Sequence, residues 1–158
     1  MMNHKVSVIT VCYNAEKTIE GTILSTLSQS YTNLEYIVID GQSTDGTRNL
    51  FDKYKDRIHK ILSERDEGTY DAMNKGIRIS TGDILYFLNS DDRLYDKNVI
   101  QKVVEKFNQD DTVEMVRGKV QFINIPEQEQ VIFQDHRFGE LNDRKDVFTK
   151  LNYSHQGL

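Results

Sequence analysis

At 158 residues, with 37% hydrophobic and 28% charged side chains, the chain has the size of one globular domain that buries roughly 68 to 70% of its unfolded surface, which excludes a disordered or fibrous class. A formal net charge of -5 leaves no basic footprint for nucleic acid, whose phosphates are met by clustered lysine and arginine; it suits a site that holds a divalent cation. The single cysteine, Cys12, excludes an internal disulfide, and its apolar surroundings in the sequence mark it as a buried thiol.

The N-terminus runs straight into the β-branched segment Val6-Ser7-Val8-Ile9-Thr10-Val11, the pattern of a strand buried on both faces of a parallel sheet. No signal-peptide pattern precedes it and no apolar stretch approaches the roughly 20 residues of a membrane span, so the expected location is the cytoplasm. From Glu16 to Gln29, Ile19, Ile23, Leu24 and Leu27 recur at helical spacing, predicting an amphipathic helix. A second strand is expected from Leu34 to Ile39. Gly41, Gly46 and the Ser43-Thr44-Asp45 cluster break it and supply helix N-cap candidates, and Leu50, Phe51, Tyr54 and Ile58 mark a second helix.

A short strand is expected at Lys60 to Ser63, then a third helix with Tyr70, Met73 and Ile77 along one face, then a strand from Ile84 to Leu88. Val99, Ile100, Val103, Val104 and Phe107 give a fourth helical stripe. Beyond it Val113 to Val116, Lys119 to Ile125 and Gln130 to Phe133 read as short strands, the last two as a hairpin around Ile125-Pro126-Glu127. Alternating strands and helices followed by an antiparallel addition predict an α/β fold with a Rossmann-like, mostly parallel mixed sheet flanked by helices. No repeat and no linker interrupts residues 1–158, which are expected to form a single domain.

In an open α/β sheet, ligands bind beyond the carboxyl ends of the strands. The first strand delivers Tyr13 and Asn14, the second Asp40, the third Glu64, Asp66 and Glu67, and the fourth Asn89, Asp91 and Asp92. Asp45 and Asp83 read as turn formers. Asp91 and Asp92 read as functional, because adjacent carboxylates repel unless solvated or joined by a cation. Magnesium or manganese would take carboxylate and phosphate oxygens together. Gly41, Gly46 and Gly68 would let backbone approach a phosphate, Gly68 just before the third helix.

The segment from Val6 to Asn14, followed by Ile39-Asp40-Gly41-Gln42-Ser43-Thr44-Asp45-Gly46-Thr47, resembles the opening of family 2 glycosyltransferases. Ser63-Glu64-Arg65-Asp66-Glu67-Gly68-Thr69-Tyr70-Asp71-Ala72-Met73-Asn74-Lys75-Gly76 resembles a signature of a bacterial polysaccharide-synthesis branch, and Phe87-Leu88-Asn89-Ser90-Asp91-Asp92 resembles the DXD-type motif. The likeness is close over residues 6–92 and loose beyond them. It implies a GT-A fold, a nucleoside diphosphate sugar donor (a UDP-sugar), Mn2+ or Mg2+, inversion at the anomeric carbon, and a glycan or lipid-linked acceptor that would bring the protein to the cytoplasmic membrane face.

Carried over residue by residue, the resemblance sets Tyr13 and Asn14 beside the nucleotide, Asp40 near base or ribose, Asp66 near the base, Asp91 on the ribose and sugar side, and Asp92 on the metal. Two departures alter the pattern. Many relatives carry a second aspartate where Gly41 stands, and many carry arginine where Met73 precedes Asn74, leaving Asp71, Asn74 or Lys75 as substitutes. His155-Gln156 resembles the start of the acceptor-side segment. The catalytic base is therefore expected beyond Leu158, with the C-terminal part of the fold lacking; a non-catalytic nucleotide-sugar-binding module is the alternative. Asp96, Asp110, Asp111, Asp135, Asp143 and Asp146 remain as base candidates within the chain. A phosphorylatable receiver fits poorly, since Tyr13-Asn14 follow the first strand where it needs acids, and no G-x-G-x-x-G marks a dinucleotide site.

Overall fold

In the computed structural model of the protein the residues described are 2–118. The β-branched run near the N-terminus forms β1 (Val6–Cys12), buried along its whole length. Next to it lies β2 (Leu34–Asp40), buried from its second residue onward. With β3 (Lys60–Ser63) and β4 (Ile84–Phe87) they make a sheet of order β3-β2-β1-β4, parallel at every pairing. Between the strands run α1 (Ile19–Leu27), α2 (Thr47–Tyr54) and α3 (Thr69–Ile79), and α4 (Val99–Gln109) follows β4.

The two-residue period of the strands sorts side chains onto two faces. Val6, Val8, Tyr36, Val38, Ile84 and Leu88 meet Ile19 and Ile23 of α1, Phe51 of α2, and Ile100 and Val104 of α4. Fully burying side chains of this size is worth about 1.5–3 kcal/mol each, so this face carries most of the described core. On the other face Ile9, Val11, Ile37 and Ile39 meet α3 through Ala72, with Met73 and Ile79 packed alongside.

That second contact bears out Met73 of the expected α3 face and corrects the other two residues. Tyr70 and Ile77 are 55% and 40% exposed, while Ala72 and Gly76 turn to the sheet. The reason is distance: a Cβ on Gly76 would stand 2.5 Å from Ile9 Cγ2, so the helix backbone itself lies on the strand. On α1, likewise, Leu24 is exposed and Thr22 and Thr26 are buried in its stead.

The expected strand at Val113 to Val116 is not formed: Asp111 and Thr112 make a turn and the following residues carry no ladder. The Lys119 to Ile125 and Gln130 to Phe133 segments lie outside the described residues, so the sheet described is wholly parallel. Among the described residues no helix is long and apolar enough to cross a membrane.

Candidate functional site

Parallel register brings the carboxyl ends of the strands level. Cys12 stands opposite Asp40, and Asp40 opposite Ser63; on the other side the Leu88 amide extends the pairing by donating to the Ile9 carbonyl at 3.0 Å. With strands about 4.8 Å apart, three steps separate the β3 and β4 ends by about 14 Å. Every loop expected to carry chemistry emerges along this edge.

Asp40 ends β2 with no exposed surface. Its carboxylate accepts the Ser43 amide at 3.2 and 3.1 Å, the Ser43 hydroxyl, the Ser63 hydroxyl at 2.6 Å, and the Cys12 thiol at 3.8 Å. A carboxylate so engaged holds residues 41–46 in place and turns no oxygen outward. Cys12 is buried, and burial together with the neighbouring Asp40 pushes its thiol pKa up, leaving an inert thiol and no nucleophile.

The β1–α1 and β2–α2 loops are laced together. The Asn14 amide donates to Ser43 Oγ at 2.8 Å, Asn14 Oδ1 accepts the Thr44 amide at 2.9 Å, the Ala15 amide donates to Thr47 Oγ1 at 2.8 Å, and Glu16 Oε2 accepts the Gly46 amide at 2.7 Å. Asp45 accepts the amides of Thr47 and Glu16 at 3.0 and 3.2 Å, the first a local turn bond, whereas Asp83 accepts that of Lys5 at 2.8 Å, 78 residues away in the chain. Asn14 and Gln42 adopt φ of 50° and 65°, left-handed backbone that is uncommon outside glycine and is held here by the lacing.

At the centre of the edge Tyr13, Gly41 and Asp66 converge. A Cβ on Gly41 would stand 2.6 Å from Asp66 Oδ2 and 3.4 Å from Tyr13 Cδ2, so the space that glycine leaves is taken by the Asp66 carboxylate. Tyr13 is 64% exposed, an aromatic face open to stacking. Asp66 Oδ1 accepts the Gly68 amide at 2.9 Å, and Asp71 Oδ2 accepts that of Glu67 at 3.2 Å. These two amides before α3 are thus spent on carboxylates instead of awaiting a phosphate. Gly68 itself has φ 112° and ψ 179°, a conformation that requires glycine.

The Lys75 side chain is largely buried. Its Nζ donates to the Arg65 carbonyl at 2.7 Å and pairs with Glu64 at 3.1 Å and Asp71 at 3.2 Å, clasping the β3–α3 loop onto the helix. Asn74 is exposed, two positions on from sheet-facing Ala72 and therefore on the opposite side of α3.

Beyond β4 the Asp92 amide donates to the Asn89 carbonyl at 3.1 Å, closing a turn with Ser90 and Asp91 at its centre; Asn89 Nδ2 donates to Asp92 Oδ2 at 3.2 Å. Both aspartates are exposed. Among the described residues no group of three or more His, Cys, Asp or Glu side chains could by itself hold an ion. Two exposed adjacent carboxylates do fit a cation such as magnesium, which is commonly bound through one or two carboxylates plus the phosphates of its partner. Of the base candidates, Asp96 accepts Lys102 Nζ at 2.9 Å and the Asn98 amide at 2.7 Å, which hold its carboxyl below the usual range. Asp110 is engaged by Thr112 in the same way, and Asp111 is exposed. Asp135, Asp143, Asp146 and His155 lie outside the described residues.

Sequence reasoning missed Ser43 and Ser63, the partners of Asp40. The first could have been found as a serine three residues after a strand-ending aspartate, a turn signature; the second needed the β2–β3 register.

The family model described as "Glycosyl transferase family 2" matches residues 7–156. TuaG of Bacillus subtilis strain 168, assigned by name to teichuronic acid biosynthesis, is 41% identical over 103 residues, covering 63% of this chain and 40% of its own. WfaP of Escherichia coli, named as a UDP-Glc:alpha-D-GlcNAc-diphosphoundecaprenol beta-1,3-glucosyltransferase, is 42% identical over 88 residues, 55% of this chain and 35% of its own. The chain thus spans about two-fifths of the length of these curated relatives. Among solved structures, S. aureus TarS in complex with UDP-GlcNAc superposes with a TM-score of 0.61 at 26% identity, covering 66% of this chain and 31% of that one. The Pyrobaculum calidifontis mannosyltransferase PcManGT shares the fold with a TM-score of 0.63 at 24% identity, over 68% of this chain and 33% of its own.

Proposed function

The chain belongs to glycosyl transferase family 2 and has the GT-A fold, and from that premise we propose that its described residues are the donor side of an inverting glycosyltransferase of bacterial polysaccharide synthesis. The donor is a nucleoside diphosphate sugar, in this reading a UDP-sugar, held with Mn2+ or Mg2+. The observation that carries the proposal is the meeting of Tyr13, Gly41 and Asp66 on the same strand edge from which the exposed Asp91–Asp92 turn emerges.

The residues divide the work as follows. The exposed ring of Tyr13 offers a stacking face for the base, and Asp66 offers an acceptor beside it for a base or ribose donor. Asp40 and Asn14 act through the loop they hold, so we assign them positioning roles in nucleotide binding. Asp91 faces the ribose and sugar, and Asp92 is the direct metal ligand. The ion, when bound, neutralises diphosphate oxygens and so favours departure of the diphosphate. Asn74, on the outer side of α3, is proposed to reach only the far end of the donor.

The acceptor is proposed to be a glycan or lipid-linked saccharide, a reading supported by the lipid-linked acceptor in the name of WfaP. Such an acceptor would hold a cytoplasmic protein at the membrane face. The catalytic base is sought outside Asp96 and Asp110, whose carboxylates are already engaged. Incubation of the protein with UDP- and GDP-sugars, manganese and a lipid-linked acceptor tests the proposal by product analysis. Transfer from the UDP-sugar with inverted configuration supports it. Tight binding with neither transfer nor donor hydrolysis would identify a nucleotide-sugar-binding module instead.

A further inference from the structure

The exposed turn that carries Asp91 and Asp92 is anchored by a helix that contributes no ligand. Thr22, Ser25 and Gln29 follow the spacing i, i+3, i+7 and so share one side of α1 and the residues just after it. Thr22 Oγ1 donates to the Asp92 carbonyl at 2.7 Å, Ser25 Oγ accepts the Leu94 amide at 3.1 Å, and Gln29 donates to the Asp96 carbonyl at 2.8 Å and accepts the Ile100 amide at 3.1 Å. Ser30 adds its amide and hydroxyl, both donated to the Lys97 carbonyl at 2.7 and 2.9 Å. The side chain of Arg93 lies across Gly21, where any Cβ would collide with the guanidinium. Residues 92–100 are therefore read, bond by bond, by one polar seam. The seam is itself tied to the sheet, because Ile19, Ile23 and Thr26 are buried beside it.

We propose that Thr22 is a positioning residue for the diphosphate–metal site, and that the α1 seam sets the direction in which the Asp92 carboxylate leaves the backbone. The inference rests on the reading of Asp92 as metal ligand. Its physical basis is that Asp92 is fixed from two sides: on one by the turn bond to Asn89 and the Leu88–Ile9 pairing, on the other by Thr22. Thr22 is fully buried, and its own carbonyl accepts the Ser25 and Thr26 hydroxyls at 2.9 and 3.0 Å, so it has little freedom to follow a displaced loop. Magnesium demands near-ideal octahedral geometry, and small misplacement of a ligand then costs affinity.

Thr22→Val keeps shape and removes the hydroxyl, and Thr22→Ser restores it. The measurements are the manganese concentration needed for half-maximal UDP binding, the affinity for uridine monophosphate without metal, and hydrogen exchange at the Leu94 and Ile100 amides. For Thr22→Val we expect the manganese requirement to rise about tenfold, equivalent to about 1.4 kcal/mol, with unchanged uridine monophosphate affinity, and for Thr22→Ser to return to the parent value. An unchanged manganese requirement in Thr22→Val, while the parent depends on manganese, overturns the positioning role and leaves the metal reading intact. A parent protein that binds UDP equally with and without manganese overturns both. Equal losses for UDP and uridine monophosphate, with faster exchange at both amides, would reduce the seam to a structural part and also overturn the proposal. Should Thr22→Val fail to fold, Ser25→Ala, which removes the acceptor of the Leu94 amide and the hydroxyl donor to the Thr22 carbonyl, is read against the same outcomes.

Discussion

Asp40 has no exposed surface and four donors around its carboxylate, so its charge organises the site from beneath. Asp40→Asn places an amide nitrogen, which cannot accept, against the Ser43 amide or one of the two hydroxyls. We expect a loss of about 1–3 kcal/mol in urea unfolding together with weaker nucleotide binding; full stability in the variant would show that the serines bind elsewhere. At the next residue, Gly41→Asp would give the commoner family pair. Gly41 lacks a positive φ, so the backbone accepts a side chain, but the Asp66 carboxylate stands 2.6 Å from the new Cβ. The expected outcome is a folded protein with Asp66 pushed aside and UDP affinity lowered; UDP affinity equal to the parent's would mean that Asp66 does not touch the nucleotide. The sequence showed Asp40 and Asp66 to be strand-end acids and could not show this difference between them, because it depends on β3 register and on a space left by glycine.

The elements were legible where apolar period and length agreed. β3 falls where the sequence places it, and the other described strands and helices begin or end within a few residues of the expected positions, because β-branched runs and helical stripes are local signals. What the pattern hid was which residues of a helix touch the sheet. In α3 Tyr70 and Ile77 point outward and Gly76 lies on Ile9, a close approach that hydrophobic counting cannot find. Gly76→Ala should therefore destabilise by about 1–3 kcal/mol through overpacking, despite alanine's better helix propensity. Thermal unfolding checks it, and a raised midpoint would refute the close contact. The polar seam of α1 was hidden for a related reason: serine, threonine and glutamine do not register in a hydrophobic stripe, and their partners lie about 70 positions away.

Across the whole molecule the two edges of the sheet use acidic groups in opposite ways. At the amino edge Glu35 is buried; burial alone would raise its pKa, but hydrogen bonds from Ser7 and Thr81 and the charge of Lys5 bring it down to about 2. Lys5 and Lys60 stand 3.5 and 3.7 Å away. A folded pKa below the unfolded value of 4.5 means that the stabilisation is present above that value and lost as pH falls towards 2. It amounts to roughly 3 kcal/mol at neutral pH. Glu35→Gln should flatten the fall in stability between about pH 4.5 and pH 2, measured by urea unfolding across that range; an unaltered acid limb would place the titration on other carboxylates. At the carboxyl edge Asp91 and Asp92 are exposed, and the proposed function has them meet a cation and the phosphates it accompanies. Isothermal titration of the protein and its Asp92→Asn and Asp91→Asn variants with UDP, in manganese and in EDTA, examines this edge most directly. The expected result is binding in manganese, none in EDTA, and a greater loss in Asp92→Asn than in Asp91→Asn. Equal UDP affinity of the parent protein in manganese and in EDTA would contradict the metal-assisted donor site.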